Sequence, residues 1–202
     1  MTTMDFLKHL LHNYLVLFAM VNAVGNLPIF AELTESLNKR ERNRTFLTAV
    51  MVGGGIVLLF ALVGDVMLRN IFDVSTSAFK IAGGILVFAV AARGVLTGHQ
   101  SASVKNHVSE NLAIFPIGFP FLAGPGTILT TILFIQIDGR LMTASTVLLV
   151  YLTIVPVLYL APFVQKVIGK IGVMVIARIL YIFICAKAVN FVLDGLHTVI
   201  NF

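Results

Sequence analysis

The chain has 202 residues, 58% of them hydrophobic and 11% charged, with 14 Lys+Arg against 9 Asp+Glu and a formal net charge of +5. A soluble domain averages roughly 45–50% apolar and about 25% charged residues. A soluble fold of this size cannot hide so much apolar surface, so an ordinary soluble enzyme and a disordered chain are both excluded. The composition fits a multi-pass membrane protein. The one cysteine, Cys185, lies in an apolar run, so no internal disulfide is available. The basic residues gather at the ends of apolar runs, where membrane proteins carry them, and no nucleic-acid partner is expected.

A membrane-crossing helix needs about 20 mostly apolar residues. Six stretches meet that need: Asn13–Ala31, Phe46–Leu68, Ala78–Leu96, Leu112–Ile137, Ser145–Val164 and Val175–Leu193. The longest polar connections are Glu32–Thr45 and Thr97–Asn111. The expected fold is an all-α integral membrane protein, with residues 1–202 forming a single transmembrane domain. A β-barrel is not expected, because the segments are continuously apolar and do not alternate. At the amino terminus Lys8, an apolar run and Val21-Asn22-Ala23 have the outline of a signal peptide. An ordinary first helix is preferred, because cleavage there would cut the following motif in two.

Lys and Arg set the orientation. With six spans, Lys39, Arg40, Arg42, Arg44, Arg93, Lys105, Lys166, Lys170 and Arg178 share one side, against Lys8, Arg69, Lys80 and Arg140 on the other. The richer side is expected to be cytoplasmic, which leaves both termini outside. The Lys39–Arg44 cluster then meets anionic lipid headgroups.

Two halves, about 1–98 and about 108–202, echo one another. Gly94-Val95-Leu96-Thr97-Gly98 returns 97 residues later as Phe191-Val192-Leu193-Asp194-Gly195. Spans one and four are both broken by Gly and Pro: Asn22-Ala23-Val24-Gly25-Asn26-Leu27-Pro28 and Pro120-Phe121-Leu122-Ala123-Gly124-Pro125-Gly126-Thr127, about 102 residues apart. Three spans per half is an odd number, so the halves lie in opposite orientation. Inverted repeats with matched interrupted helices are the pattern of secondary transporters, with the binding site at the breaks.

Proline removes a backbone donor and breaks the helical ladder, and glycine tolerates the dihedrals that result. In hydrocarbon the freed groups must be satisfied by protein or by a polar cavity. Half-helix starts suit a carboxylate, and half-helix ends suit an ammonium group or Na⁺. A small zwitterion such as an amino acid fits both. Asn22 and Asn26 add amides at i and i+4, and Thr127, Thr130 and Thr131 add hydroxyls. The competing reading is close helix packing with small residues at the interface.

These residues resemble the MarC family of six-span integral membrane proteins. Asn22-Ala23-Val24-Gly25-Asn26-Leu27-Pro28-Ile29-Phe30 is similar to its first-helix motif, and Phe79-Lys80-Ile81-Ala82-Gly83-Gly84-Ile85-Leu86 to its third-helix signature. Pro116 to Ile128 is similar to its fourth-helix signature and is the most specific of the three. The resemblance implies a bacterial inner-membrane protein. Some family members are assigned as transporters of small neutral amino acids such as glycine and alanine. By that resemblance Asn22, Gly25, Asn26, Pro28, Gly124, Pro125 and Gly126 are motif residues, and Thr127 joins them as a substrate-binding candidate. The chain departs from the family pattern at Ala23, where relatives carry Pro. Alanine keeps one more N–H, so the first break is less obligatory.

Lys187 falls halfway along span six, with Asn190 at i+3 and Asp194 at i+7. Ionisable groups inside spans are costly and usually functional, so Lys187 and Asn190 are accessory candidates; snorkelling to the headgroups is the alternative for the lysine. Asp65, Lys80 and Arg93 read as boundary charges, and Asp65 is the best available proton carrier. The histidines lie in loops or tails, and His9 and His12 read as solvated imidazoles. No metal, nucleophile or phosphate-loop motif is present in the sequence. Gly53-Gly54-Gly55 and Gly83-Gly84 lie inside apolar spans and read as packing glycines. The expected function is a secondary transporter of small solutes, not an enzyme, with no cofactor and no metal. Its partners are membrane lipids and a small-molecule solute, and a homo-oligomer is compatible with the sequence. Whether Na⁺ or H⁺ is the coupling ion stays open. A passive channel and a non-transport scaffold are the alternatives.

Overall fold

The computed structural model describes residues 3–97 and 112–200, and among these the regular structure is helical, with no strand. Chain order gives α1 (Thr3–Val21), α2 (Leu27–Leu33), α3 (Lys39–Val66), α4 (Thr76–Thr97), an irregular segment Ala113–Leu122, α5 (Pro125–Tyr159) and α6 (Ala161–Ile200). The start of α3 has a local cause. Asn38 Oδ1 accepts from the N–H groups of Arg40 and Glu41, each at 3.0 Å, and the Glu41 carboxylate accepts from the Asn38 N–H at 3.1 Å. This reciprocal box satisfies donors that a helix start leaves without partners. α3 runs on through a wider turn, Met67–Ile71.

In Ala113–Leu122, Phe115 and Phe119 are extended, each directly before a proline. The residue before proline is pushed out of the α region by the ring, so two prolines four residues apart break the segment twice. α5 and α6 are each interrupted at one glycine, Gly139 (φ 80°) and Gly169 (φ 77°). Nothing lies within 4 Å of a Cβ built at either position, so backbone conformation and not crowding selects glycine there. Between α5 and α6 the helical ladder continues: Leu160 N–H donates to Pro156 O and Val164 N–H to Leu160 O, both at 2.9 Å. Residues 140–168 are therefore one helical run.

Among the described residues, four helices are long and apolar enough to cross a membrane: Lys39–Ile71, Thr76–Leu96, Pro125–Tyr159 and Ile171–Ile200. Large apolar side chains such as Met51, Leu59, Leu152, Ile171 and Phe183 stand exposed on their outer faces, as lipid-facing side chains do in an integral membrane protein. Two expected spans take a different form. Asn13–Ala31 straddles the gap between α1 and α2, and α1 begins earlier, at Thr3. Leu112–Ile137 is irregular to Leu122 and helical only from Pro125. In both, glycine and proline override an apolarity that alone reads as one continuous helix.

α4 packs along α6, α3 along α5 and the Ala113–Leu122 segment, α1 against α5, and α2 against α6. Glycines set the closest approaches. A Cβ on Gly84 would stand 2.8 Å from Ala188 O, and one on Gly195 2.9 Å from Ser77 O, so α4 and α6 run antiparallel with their backbones nearly touching. One buried cluster joins Val21, Ala23, Leu27 and Phe30 to Phe46, Ile117, Leu122 and Ala123. A second joins Met20 and Leu129 to Val87, Tyr181, Ile184 and Ala188. The expected repeat boundaries near residues 98 and 108, with Gly98, Lys105, His99 and His107, lie outside the described residues.

Candidate functional site

The site is built where two breaks meet. α1 ends at Val21, and Asn22 turns the chain with φ 51°, a left-handed conformation that asparagine tolerates better than most residues. α2 restarts at Leu27, with Pro28 as its second residue. The opposite break comes after Leu122. Gly124 is extended (φ −76°, ψ 167°), and Pro125 opens α5 with no side-chain cap on its first turn. Proline suits a first helical position, because its missing donor would be idle there. Val21, Ala23 and Leu27 from the first break and Leu122 and Ala123 from the second share one buried cluster. Phe30 and Phe121 meet edge to face across it, with ring centroids 5.8 Å apart. The start of α5 and the end of α1 also touch, since a Cβ on Gly126 would lie 3.0 Å from Met20 Cε.

The polar groups of this junction divide into two kinds. Some are paired. Asn26 Oδ1 accepts from the Tyr181 hydroxyl at 3.2 Å, which ties the first break to α6. Tyr151 OH donates to Leu122 O at 2.8 Å, holding a carbonyl freed by the second break. Its ring lies where Gly54 has no side chain, since a Cβ there would meet it at 3.0 Å. Thr131 Oγ1 donates to Thr127 O at 2.8 Å. Others are buried with no hydrogen-bond partner: the amide oxygen of Asn22, Thr127 Oγ1 and Thr130 Oγ1. The Asn22 amide faces the Tyr181 hydroxyl, which gives its single proton to Asn26 and whose oxygen accepts from the Asn22 nitrogen. Gly25 makes room for that amide, because a Cβ on it would lie 2.7 Å from Asn22 Cγ. Leaving a buried polar group unpaired costs about 1–3 kcal/mol, so a native fold that carries several at one junction points to a ligand's place.

Of the expected site residues, Asn22, Gly25, Asn26, Gly124, Pro125, Gly126 and Thr127 all border this junction, and the Pro28 backbone lies one residue into α2. The accessory candidates stand elsewhere. Asn190 is exposed, as is Asp194. Lys187 is half-buried, with Nζ 5.3 Å from the centre of the Phe191 ring one turn along the same helix. Asp65 is bound to Arg140 by two contacts of 3.1 Å, and a fixed guanidinium partner makes it a poor proton carrier. Tyr151 and Tyr181 escaped the sequence reading, because an aromatic in an apolar span carries no local signal of the backbone it holds. His9 also differs from expectation: its Nδ1 lies 2.8 Å from Asp138 Oδ1. Among the described residues no group of three His, Cys, Asp or Glu could hold a metal ion.

The sequence matches the family described as MarC family integral membrane protein over residues 7–200. It is similar to a UPF0056 membrane protein of Archaeoglobus fulgidus, 33% identical over 95% of this chain and 93% of that protein. It is likewise similar to one of Aquifex aeolicus, 31% identical over 93% and 92%. The UPF0056 membrane protein YhcE of Escherichia coli is 30% identical over 91% of this chain and 89% of its own length. No solved structure matches.

Proposed function

This chain belongs to the MarC family of integral membrane proteins, and on that premise we propose that it is a secondary transporter of small neutral solutes, small amino acids foremost, working by alternating access in a bacterial inner membrane. The observation that carries this reading is the cluster of buried, unpaired polar atoms on Asn22, Thr127 and Thr130, all at two breaks that share one core. The described residues at that junction supply neutral donors and acceptors together with helix ends of both signs. Such a lining favours a solute with no net charge that carries both a carboxylate and an ammonium group.

The repeat supports the same reading. Gly139 falls 102 residues after Leu37 in the α2–α3 connection, and Gly169 falls 97 after Phe72 in the α3–α4 connection. These are the two offsets of the sequence echo. Packing follows the same exchange: α3 lies on Ala113–Leu122 as α1 lies on α5, and α2 lies on α6 as α5 lies on α4. In this reading α1 with α2, and residues 113–138, are the two broken crossings that complete six spans, with both termini outside. Rocking of one three-span unit against the other would expose the junction to either side.

The test is ligand-dependent stability of the purified protein with glycine, alanine and serine, with and without Na⁺ and at two pH values. A solute that binds only the folded state raises stability by about 2.7 kcal/mol at a hundredfold excess over Kd. The expected result is a shift with one of these solutes that disappears in Asn26→Ala and in Gly124→Leu. Binding unchanged in both folded variants removes the site.

A further inference from the structure

We infer that the outward side of α6 carries a self-association seam, Phe183, Lys187, Asn190 and Asp194, through which two copies of this chain pair side by side in the membrane. α6 has two stripes with the same alternating spacing of three and four residues. Tyr181, Ile184, Ala188, Phe191 and Gly195 form the first; all are buried, and glycine contacts lay it against α4. Phe183, Lys187, Asn190 and Asp194 form the second, roughly a third of a turn away around the helix. Such spacing is that of the seam between paired helices. On this second stripe Phe183 is 65% exposed, Asn190 and Asp194 are exposed and Lys187 is half-buried. Among the described residues no hydrogen bond or ion pair reaches the side chains of Asn190 and Asp194. The Lys187 ammonium stands over the Phe191 ring of its own helix.

Depth decides what that stripe needs. The approaches of Gly84 to Ala188 and of Gly195 to Ser77 fix the register of the antiparallel α4–α6 pair, so Lys187 lies level with Ile85 and Asn190 with Ala82. The apolar run of α4 is Thr76–Leu96, which puts Ile85 near its middle and Ala82 about 9 Å inside its start. Asp194 lies level with Ala78, at the rim. A lysine can raise its ammonium along the helix towards that rim; an asparagine is too short to do so. An amide among lipid tails has no water to bond, and polar side chains on spans belong between helices. The helices of this chain leave the stripe open, so the covering helix comes from another molecule. The stripe specifies a copy of itself. Two chains inserted with the same orientation bring Asn190 to Asn190 at equal depth, and an amide carries both donors and an acceptor, so the pair satisfies itself. Each Lys187 lies one turn below the other copy's Asn190 and two below its Asp194, and the seam as a whole holds two cations and two anions. A two-fold axis along the membrane normal achieves this with one surface. The junction of the two breaks takes no part, so the seam stands whether or not a solute binds there.

The test needs no solute. The chain has one cysteine, so in a Cys185→Ser background a single new cysteine reports on a two-fold seam, where each residue meets its own copy. Phe183→Cys lies on the stripe. Val189→Cys lies on the other outward side of α6, 42% exposed and between Lys187 and Asn190 in depth. Native membranes are oxidised mildly and the protein is run on non-reducing gels. Phe183→Cys is expected to convert largely into a species of twice the chain mass. Val189→Cys is expected to yield about tenfold less, because a disulfide needs Cβ atoms about 4 Å apart. Adding Asn190→Leu to Phe183→Cys is expected to cut the yield severalfold; leucine suits a lipid-facing position, so the fold is kept. As a second reading, the wild-type protein with one fluorophore per chain bleaches in two steps in lipid bilayers, and Asn190→Leu in one. Equal yields at the two positions, no dimer at either, a yield indifferent to Asn190→Leu, or an adduct of another mass overturns the seam.

Discussion

Replacing Asn22 by glycine separates the fold from the site. At φ 51° glycine sits without strain, so the turn itself survives. The substitution removes a buried amide whose oxygen is unpaired and whose nitrogen faces the Tyr181 hydroxyl. Relief from an unsatisfied buried group is worth about 1–3 kcal/mol. Against it stand the flexibility of glycine in the unfolded chain, about 0.5–1 kcal/mol, and the space left by the amide, about 1 kcal/mol for each methyl-sized void. The terms nearly cancel, so the solute-free protein is expected to lie within about 1 kcal/mol of wild type, or above it. Asn26→Ala differs, because it removes the acceptor of the Tyr181 hydroxyl and costs about 0.5–1.5 kcal/mol for one hydrogen bond. Unfolding of the detergent-purified proteins, followed by circular dichroism with and without solute, reads both. Asn22→Gly is expected to keep its baseline stability and lose the solute-dependent gain. A baseline loss above about 2 kcal/mol would mean that the amide is a structural tie, and the argument from unpaired atoms would fail.

Two further substitutions probe the same logic elsewhere. Thr130→Val removes a buried hydroxyl with no partner and keeps the side-chain shape; stability is expected to hold or rise, and a solute-dependent gain to shrink at least severalfold, both readable in the same unfolding assay. Gly84→Ala puts a methyl 2.8 Å from Ala188 O, which forces α4 from α6 and costs about 1–3 kcal/mol. Gly55→Ala meets nothing within 4 Å and should stabilise the helix by about 0.5–1 kcal/mol. Equal stability of these two variants would refute the close α4–α6 contact.

Much of this architecture was legible in the sequence, and what was missed has a physical reason. The four long apolar helices among the described residues followed from apolar length. The location of the breaks followed from Gly and Pro at matched places. Their consequences were harder to read. Asn13–Ala31 is apolar enough for a single helix, and the left-handed Asn22 divides it just ahead of Gly25 and Pro28. Phe115 and Phe119 became extended because a proline follows each, a local rule that the apolarity of the stretch concealed. The tight seam at Gly83-Gly84 was anticipated, whereas the pairing of Asp138 with His9 and Asn13 was not. Those partners are separated by more than 120 residues, and no spacing in a single chain connects them.

The same contrast explains why the junction reads as a site and the rest of the polar inventory as structure. At the periphery polar side chains are spent on one another: Arg140 with Asp65, Tyr14 with Thr153, Gln136 with Thr76, each joining two elements. In the middle, Tyr151 holds a backbone carbonyl of the second break and Tyr181 the Asn26 side chain of the first, both from outside the breaks. What remains on the breaks themselves is unpaired. A packing role asks of an interrupted helix only small residues, and alanine or serine would supply them at lower cost than a buried amide with an idle oxygen. The chain instead carries asparagine and threonine at the places where neither neighbour satisfies them. Apart from Arg42 Nε, the buried polar atoms left without a partner among the described residues gather at this one junction, and such departures mark function. The Asn22→Gly comparison turns that argument into a measurement, because a structural asparagine predicts a solute-free loss above about 2 kcal/mol and a solute-binding one a stability within about 1 kcal/mol of wild type or above it.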